Sequence, residues 1–145
     1  NLRRGQGMVI SKEVCQLIES HFYNHEQEKK ELQRRKIEIA EEIVHALDAT
    51  GIRGSVTSDP TFHKAKKIEK ETALLQAWVE VVQDTIDHFK GTENEQFIHD
   101  VYNERTRYTQ AEWKLFMSRR TFYNRREKVI LYAALKACEK SLIVN

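Results

Sequence analysis

At 145 residues the chain has room for one domain or two small modules, and one proline, five glycines and 32% charged residues favour helices over sheets. The net charge of +2 is too small to make the whole chain a polyanion binder, so any such role depends on where the charges sit. Two cysteines, Cys15 and Cys138, exclude a disulfide framework and a cysteine-rich zinc site, and no stretch has the unbroken apolar length of a membrane span.

Met8 reads as the start of the native chain, with residues 1–7 set aside as an appended segment. Ser11 is placed to cap a helix whose first turn carries Glu13. Val14, Leu17, Ile18, Phe22, Leu32, Ile39, Ile43 and Leu47 follow at spacings that suit one long helix. Between Glu26 and Lys36 the signs alternate, the pattern of a solvated face laced with i,i+4 pairs. Gly51 and Gly54 mark a loop of about 49–59, and Asp59 with Pro60 restarts the helix. Ala65, Ile68, Thr72, Leu75, Val79, Val82, Ile86 and Phe89 then alternate steps of three and four, with Trp78 widening the stripe. That is a coiled-coil seam, and a seam needs a partner. Residues 8–90 are therefore expected to form an antiparallel helical hairpin, a coiled-coil-like arm for dimerisation or protein docking.

Gly91 and Thr92 open the second module, 92–145, where Thr92 and Glu95 make a capping box. Phe97, Ile98, Val101 and Tyr102 share one face of a support helix. A short helix over Thr109–Phe116, a turn at Met117–Ser118 and a second helix capped by Ser118 complete a helix-turn-helix, its small core supplied by Tyr108, Trp113, Phe116, Met117 and Phe122. Phe122 and Val129 anchor the second helix, seven residues apart on one face. From Arg105 to Lys128 there are eight basic residues against Glu112 and Glu127, a local net charge of about +6. Arg119, Arg120, Tyr123 and Asn124 are the candidates for base edges in a major groove, and Arg107, Thr109, Arg125, Arg126 and Lys128 for phosphates. The fold class is all-α, and the partner this charge pattern points to is double-stranded DNA. Ile130, Leu131, Ala134, Leu135, Cys138, Leu142 and Ile143 form an apolar tail that needs cover, either from the hairpin or from a second copy in a homodimer, with the second copy favoured.

His21 and His25, with Glu28 nearby, have metal-compatible spacing but lack a third ligand close in sequence, and with Phe22 and Tyr23 they read as a helix-packing patch. Arg53 and Ser55 between Gly51 and Gly54 read as a connecting loop. No nucleophile, phosphate loop or metal motif is present in the sequence, so the expectation is a non-enzymatic protein without cofactor or metal.

Two segments, SDPT…ETALLQAWV over Ser58–Val79 and SRRTFYNRREKVI over Ser118–Ile130, behind a long charged helix, resemble the RinA/ArpU-like transcriptional regulators of phages and prophages. The second segment alone is similar to sigma-factor DNA-binding regions in general. The resemblance runs from Val9 to about Leu135. Met117 and Arg126 depart from it, since such motifs often carry an aliphatic residue before the helix and another one turn after the Phe. It implies sequence-specific promoter binding, activation of late genes, contact with bacterial RNA polymerase, and a place at the nucleoid in a bacterial host cytoplasm. A small terminase-type DNA-packaging subunit and a coiled-coil adaptor with a basic head are the alternatives.

Overall fold

The computed structural model describes residues 10–50, 60–105 and 117–144, without the side chains of residues 46, 49, 50, 60, 61, 62 and 65, and among them every regular element is helical. The elements are α1 (Lys12–Tyr23), α2 (His25–Thr50), α3 (Pro60–His88), α4 (Glu93–Ile98), a π-helical turn (His99–Asn103) and α5 (Arg119–Glu139). The expected all-α class is what the described residues adopt. Residues 1–9, including Met8, the 51–59 loop with Arg53, Ser55 and Asp59, and residues 106–116 lie outside the described residues.

The helix starts follow local chemistry. Ser11 Oγ accepts the Val14 N–H at 3.1 Å, satisfying one of the donors that a first helical turn leaves without a partner. Pro60 is the first residue of α3, where its missing N–H costs nothing. The long first helix expected from the apolar spacing is interrupted at Asn24, whose φ of −101° and ψ of 12° leave the helical basin. Asparagine competes with helical hydrogen bonding through its own side chain, and the spacing of apolar residues carries no signal of such a break.

Packing divides the chain into two compact units. One holds the described residues up to His25 together with those from Trp78 onward, and the other spans Glu26–Ala77. The division expected near Gly91 thus differs from the packing, because α1 and the end of α3 join the C-terminal helices. In the first unit Ile18 and Phe22 of α1, Trp78, Val81 and Val82 of α3, and Phe97, Ile98, Val101 and Tyr102 are buried with the inner face of α5. Ala133, Ala134 and Ala137 keep that inner face flat enough for α1 to pack directly upon it. Each large side chain in this core contributes about 1.5–3 kcal/mol by leaving water. Val79 and Val82 of the seam are buried as expected, but Val81 and Thr85 are fully buried too. The threonine is tolerated because its hydroxyl donates to the Val81 carbonyl at 2.8 Å.

The apolar tail is covered within this same unit, so the second copy favoured above is not needed for it. Ile130 and Ala134 are buried, and Leu142 and Ile143 pack against the core, leaving Leu135 out at 46% exposure. The physical reason is the position of α1, whose Ile18 and Phe22 supply the surface that a three-helix head lacks. The end of α5 is fixed by Leu142 N–H donating to Ala137 O at 2.8 Å and Ser141 N–H to Cys138 O at 3.0 Å, with Ser141 at φ 61°. In the second unit Leu32 and Thr72 are buried, Lys64 meets Glu42 at 3.7 Å, and Glu31 binds Arg34 at 2.6 Å and Arg35 at 2.8 Å along an exposed face. Hydrogen bonds from Arg34 and then Arg35 hold the Glu31 carboxyl down at about 2. Among the described residues no helix is long and apolar enough to cross a membrane.

Candidate nucleic-acid interface

The site is the N-terminal half of α5, and its backbone is set by Ser118. The Ser118 Oγ accepts the Thr121 N–H at 3.2 Å while φ of −73° and ψ of 165° keep the residue extended, so the helix begins sharply at Arg119. Phe122 and Val129 point inward as their spacing requires, at 6% and 0% exposure. The Phe122 ring meets Phe97 edge to face at 5.2 Å between centroids, which seats α5 against α4. Across the junction from α3, Gly91 at φ 84° turns the chain, and Thr92 Oγ1 accepts the Asn94 N–H at 3.2 Å. Glu95 reaches the Gly91 N–H at 2.9 Å, because the Thr92 N–H already donates to Phe89 O at 3.0 Å.

With Phe122 and Val129 inside, Arg119, Arg120, Tyr123, Asn124 and Lys128 are exposed. Of the nine candidate DNA-contacting residues these five therefore face solvent. Arg107 and Thr109 lie outside the described residues, as does the whole first helix expected over Thr109–Phe116 with Tyr108 and Trp113. The two remaining arginines have partners within the unit. Arg125 is drawn to Glu93 at the start of α4, Nη2 to Oε1 3.2 Å.

Arg126 turns inward. Its Nε donates to Glu19 Oε2 at 2.7 Å and its Nη2 to Glu19 Oε1 at 2.8 Å, a two-pronged pair between α5 and α1. Nη2 also lies 3.3 Å from Cys15 Sγ, and the Tyr102 hydroxyl donates to Glu19 Oε2 at 2.7 Å. Glu19 is only 14% exposed at its side chain and Arg126 32%, so the cluster is largely sheltered from water. The Glu19 hydrogen bond raises the Arg126 pKa further above its ordinary value, which leaves the guanidinium charged throughout. Burial first, and then the Glu19 charge, push the Tyr102 phenol well above its ordinary range. Burial likewise raises the Cys15 thiol, which disfavours the reactive thiolate.

Arg126, expected to hold a phosphate, follows Phe122 by one turn and so falls towards the inner side of α5. The arginine occupies the inward position and carries its counter-ion from α1. Glu19 was missed because its partner lies 107 residues away and no local pattern links the two.

His21 of α1 and His25 of α2 are engaged in packing. His21 stacks on Trp78 at 4.2 Å and 8°, and His25 Nε2 lies 3.2 Å from Gln83 Oε1. The potential ligand atoms of His99, Asp100 and Glu104 fall within 4.8 Å of one another, with His99 Nε2 already 3.3 Å from Glu104 Oε2 and Asp100 Oδ2 accepting from Gln96 at 3.0 Å. Comparison of the chain with protein-family models, with curated proteins and with solved structures finds no match.

Proposed function

We propose that the chain is a sequence-specific double-stranded DNA-binding regulator of transcription, with α5 as the recognition helix of a helix-turn-helix. The observation that carries this reading is the two-sided character of the first half of α5. Phe122 and Val129 anchor it, while Arg119, Arg120, Tyr123, Asn124 and Lys128 stand exposed behind a serine cap. Arginine and asparagine are the side chains whose paired donors and acceptors match guanine and adenine edges, and lysine suits phosphate. Arg119, Arg120, Tyr123 and Asn124 are assigned to bases. Lys128 is assigned to phosphate, together with Arg107 and Thr109. Arg125 sits at the rim, held by Glu93, and Arg126 is reassigned to positioning α5 on α1.

The finer fold is part of the proposal. α2 and α3 are read as an antiparallel hairpin, a reading supported within the second unit by the approach of Lys64 to Glu42. Ile37, Val44 and Leu47 of α2 are exposed large apolar residues, as is Leu74 of α3, which supports partner docking as the role of the arm. The RinA/ArpU-like resemblance makes phage or prophage late-gene activation, with contact to bacterial RNA polymerase, the most specific form of the proposal.

The test is equilibrium binding of the full chain to a duplex pool and to selected sites over a range of salt. Log K should fall linearly with log salt at about −0.9 per phosphate, so a slope near −3 or steeper is expected from at least three contacts. A site preference of about 10³-fold or more over random duplex is expected of a regulator. Binding that is insensitive to salt, or equal on every sequence, refutes it.

A further inference from the structure

We propose that Glu127 selects a cytosine in the duplex, an inference that rests on reading α5 as the recognition helix. Phe122, Val129, Ile130, Ala133, Ala134 and Ala137 make up the buried side of α5. Arg120, Asn124 and Glu127, at steps of four and three, form an exposed line outside it, ended by the half-buried Leu131. Glu127 is exposed on that line, one residue before Lys128. Arg125 and Arg126 each have an acidic partner from another helix, in Glu93 and Glu19. Glu127 differs, for among the described residues no ion pair engages it.

A carboxylate at this place is costly for binding DNA in general, because it faces the same phosphates that Lys128 attracts. It becomes favourable only where the groove offers a donor. The major-groove edges of guanine and thymine present acceptors at N7, O6 and O4, all of which repel a carboxylate. The donors are the amino groups of cytosine and adenine, and adenine sets its N7 acceptor beside the amino group, whereas cytosine does not. Cytosine is therefore the base that Glu127 fits. Three residues of helix rise about 4.5 Å, so this cytosine lies within about one or two base pairs of the adenine read by Asn124.

The experiment is selection from a randomised duplex pool with the full chain, Glu127→Ala, Glu127→Gln and Asn124→Ala, each with folding checked by helical circular dichroism. The wild type should enrich a cytosine next to the base whose preference disappears in Asn124→Ala. Glu127→Ala should lose roughly tenfold of discrimination at that cytosine alone, and bind random duplex several-fold more tightly at the same salt. Glu127→Gln should move the preference towards adenine, since an amide matches the N6 and N7 pair. An unchanged site preference in a folded, DNA-binding Glu127→Ala overturns the assignment while leaving the DNA-binding reading intact. Failure of the wild type to bind any duplex overturns both.

Discussion

Replacing Arg126 by methionine separates two roles that the sequence alone confounds. The side chain keeps its length and most of its apolar contact but loses both hydrogen bonds to Glu19, at 2.7 and 2.8 Å. Glu19 would then remain 14% exposed with a hydrogen bond from Tyr102 and no counter-ion. Removing one member of a fully buried pair costs about 3–5 kcal/mol. Arg126 retains 32% exposure, so water softens the loss, and about 2–3 kcal/mol is expected. The double variant Glu19→Leu with Arg126→Met removes the stranded charge and should recover most of that loss, giving a coupling energy of about 1.5–3 kcal/mol. Urea denaturation at neutral pH, followed by circular dichroism, measures all three variants. The salt dependence of the proposed DNA binding supplies the second reading. A positioning arginine leaves the slope unchanged, whereas a phosphate contact removes about one unit. A stability loss under about 0.5 kcal/mol together with a flattened slope would refute the inward role and return Arg126 to the proposed DNA face.

Ser118→Ala should destabilise the first unit by about 1 kcal/mol in thermal melts, because the Thr121 N–H loses its acceptor at 3.2 Å. An unchanged melting temperature would show that the cap is idle. Ser141→Gly should stabilise by about 0.5–1 kcal/mol, since the residue sits at φ 61°, where glycine has no Cβ to strain, and Ser141→Val should do the reverse. Stability should be level in mildly alkaline solution and fall as pH rises above about 9–10. Cys15, Tyr23 and Tyr102 all have pKa values raised by burial from ordinary values of 9.0, 10.0 and 10.0. Above those ordinary values the unfolded chain ionises while the folded one stays neutral, so the folded form loses ground until its own raised pKa is reached. Tyr102→Phe should make the fall shallower, and denaturant midpoints across that pH range would expose an equal fall in both proteins if the phenol is uninvolved.

The caps and the apolar anchors were legible in the sequence because each depends on residues within a turn or two of one another. Ser11, Pro60, Thr92 and Ser118 occupy the helix starts, and Phe97, Val101, Phe122 and Val129 all face the core. What escaped was non-local. Glu19 belongs to no local pattern, and its role follows only from the approach of Arg126 and Tyr102. The cover for Ile130 and Ala134 comes from α1, more than a hundred residues earlier, and no periodicity within the tail says so. The charge tally from Arg105 to Lys128 overstated the outward positive surface, because Arg125 and Arg126 are matched by acids from α4 and α1. The break at Asn24 and the π-helical turn at His99–Asn103 were also invisible, since both change the register without changing which residue types are apolar.

The pairing of Glu19 with Arg126 sets a timetable for the chain as it is made. The two residues are 107 positions apart, so α1 leaves the ribosome long before α5 exists. At about 5–20 residues per second of synthesis, that interval is on the order of 5–20 s. During it the apolar side of α1, with Ile18 and Phe22, lacks the helix on which it finally rests. The first unit can close only after α5 emerges, and closure then joins segments from far apart in the sequence, which makes it a slow kind of contact to form. Nascent chains halted before α5 should accordingly present α1 to holding chaperones, and release it only when Arg126 has come within reach of Glu19.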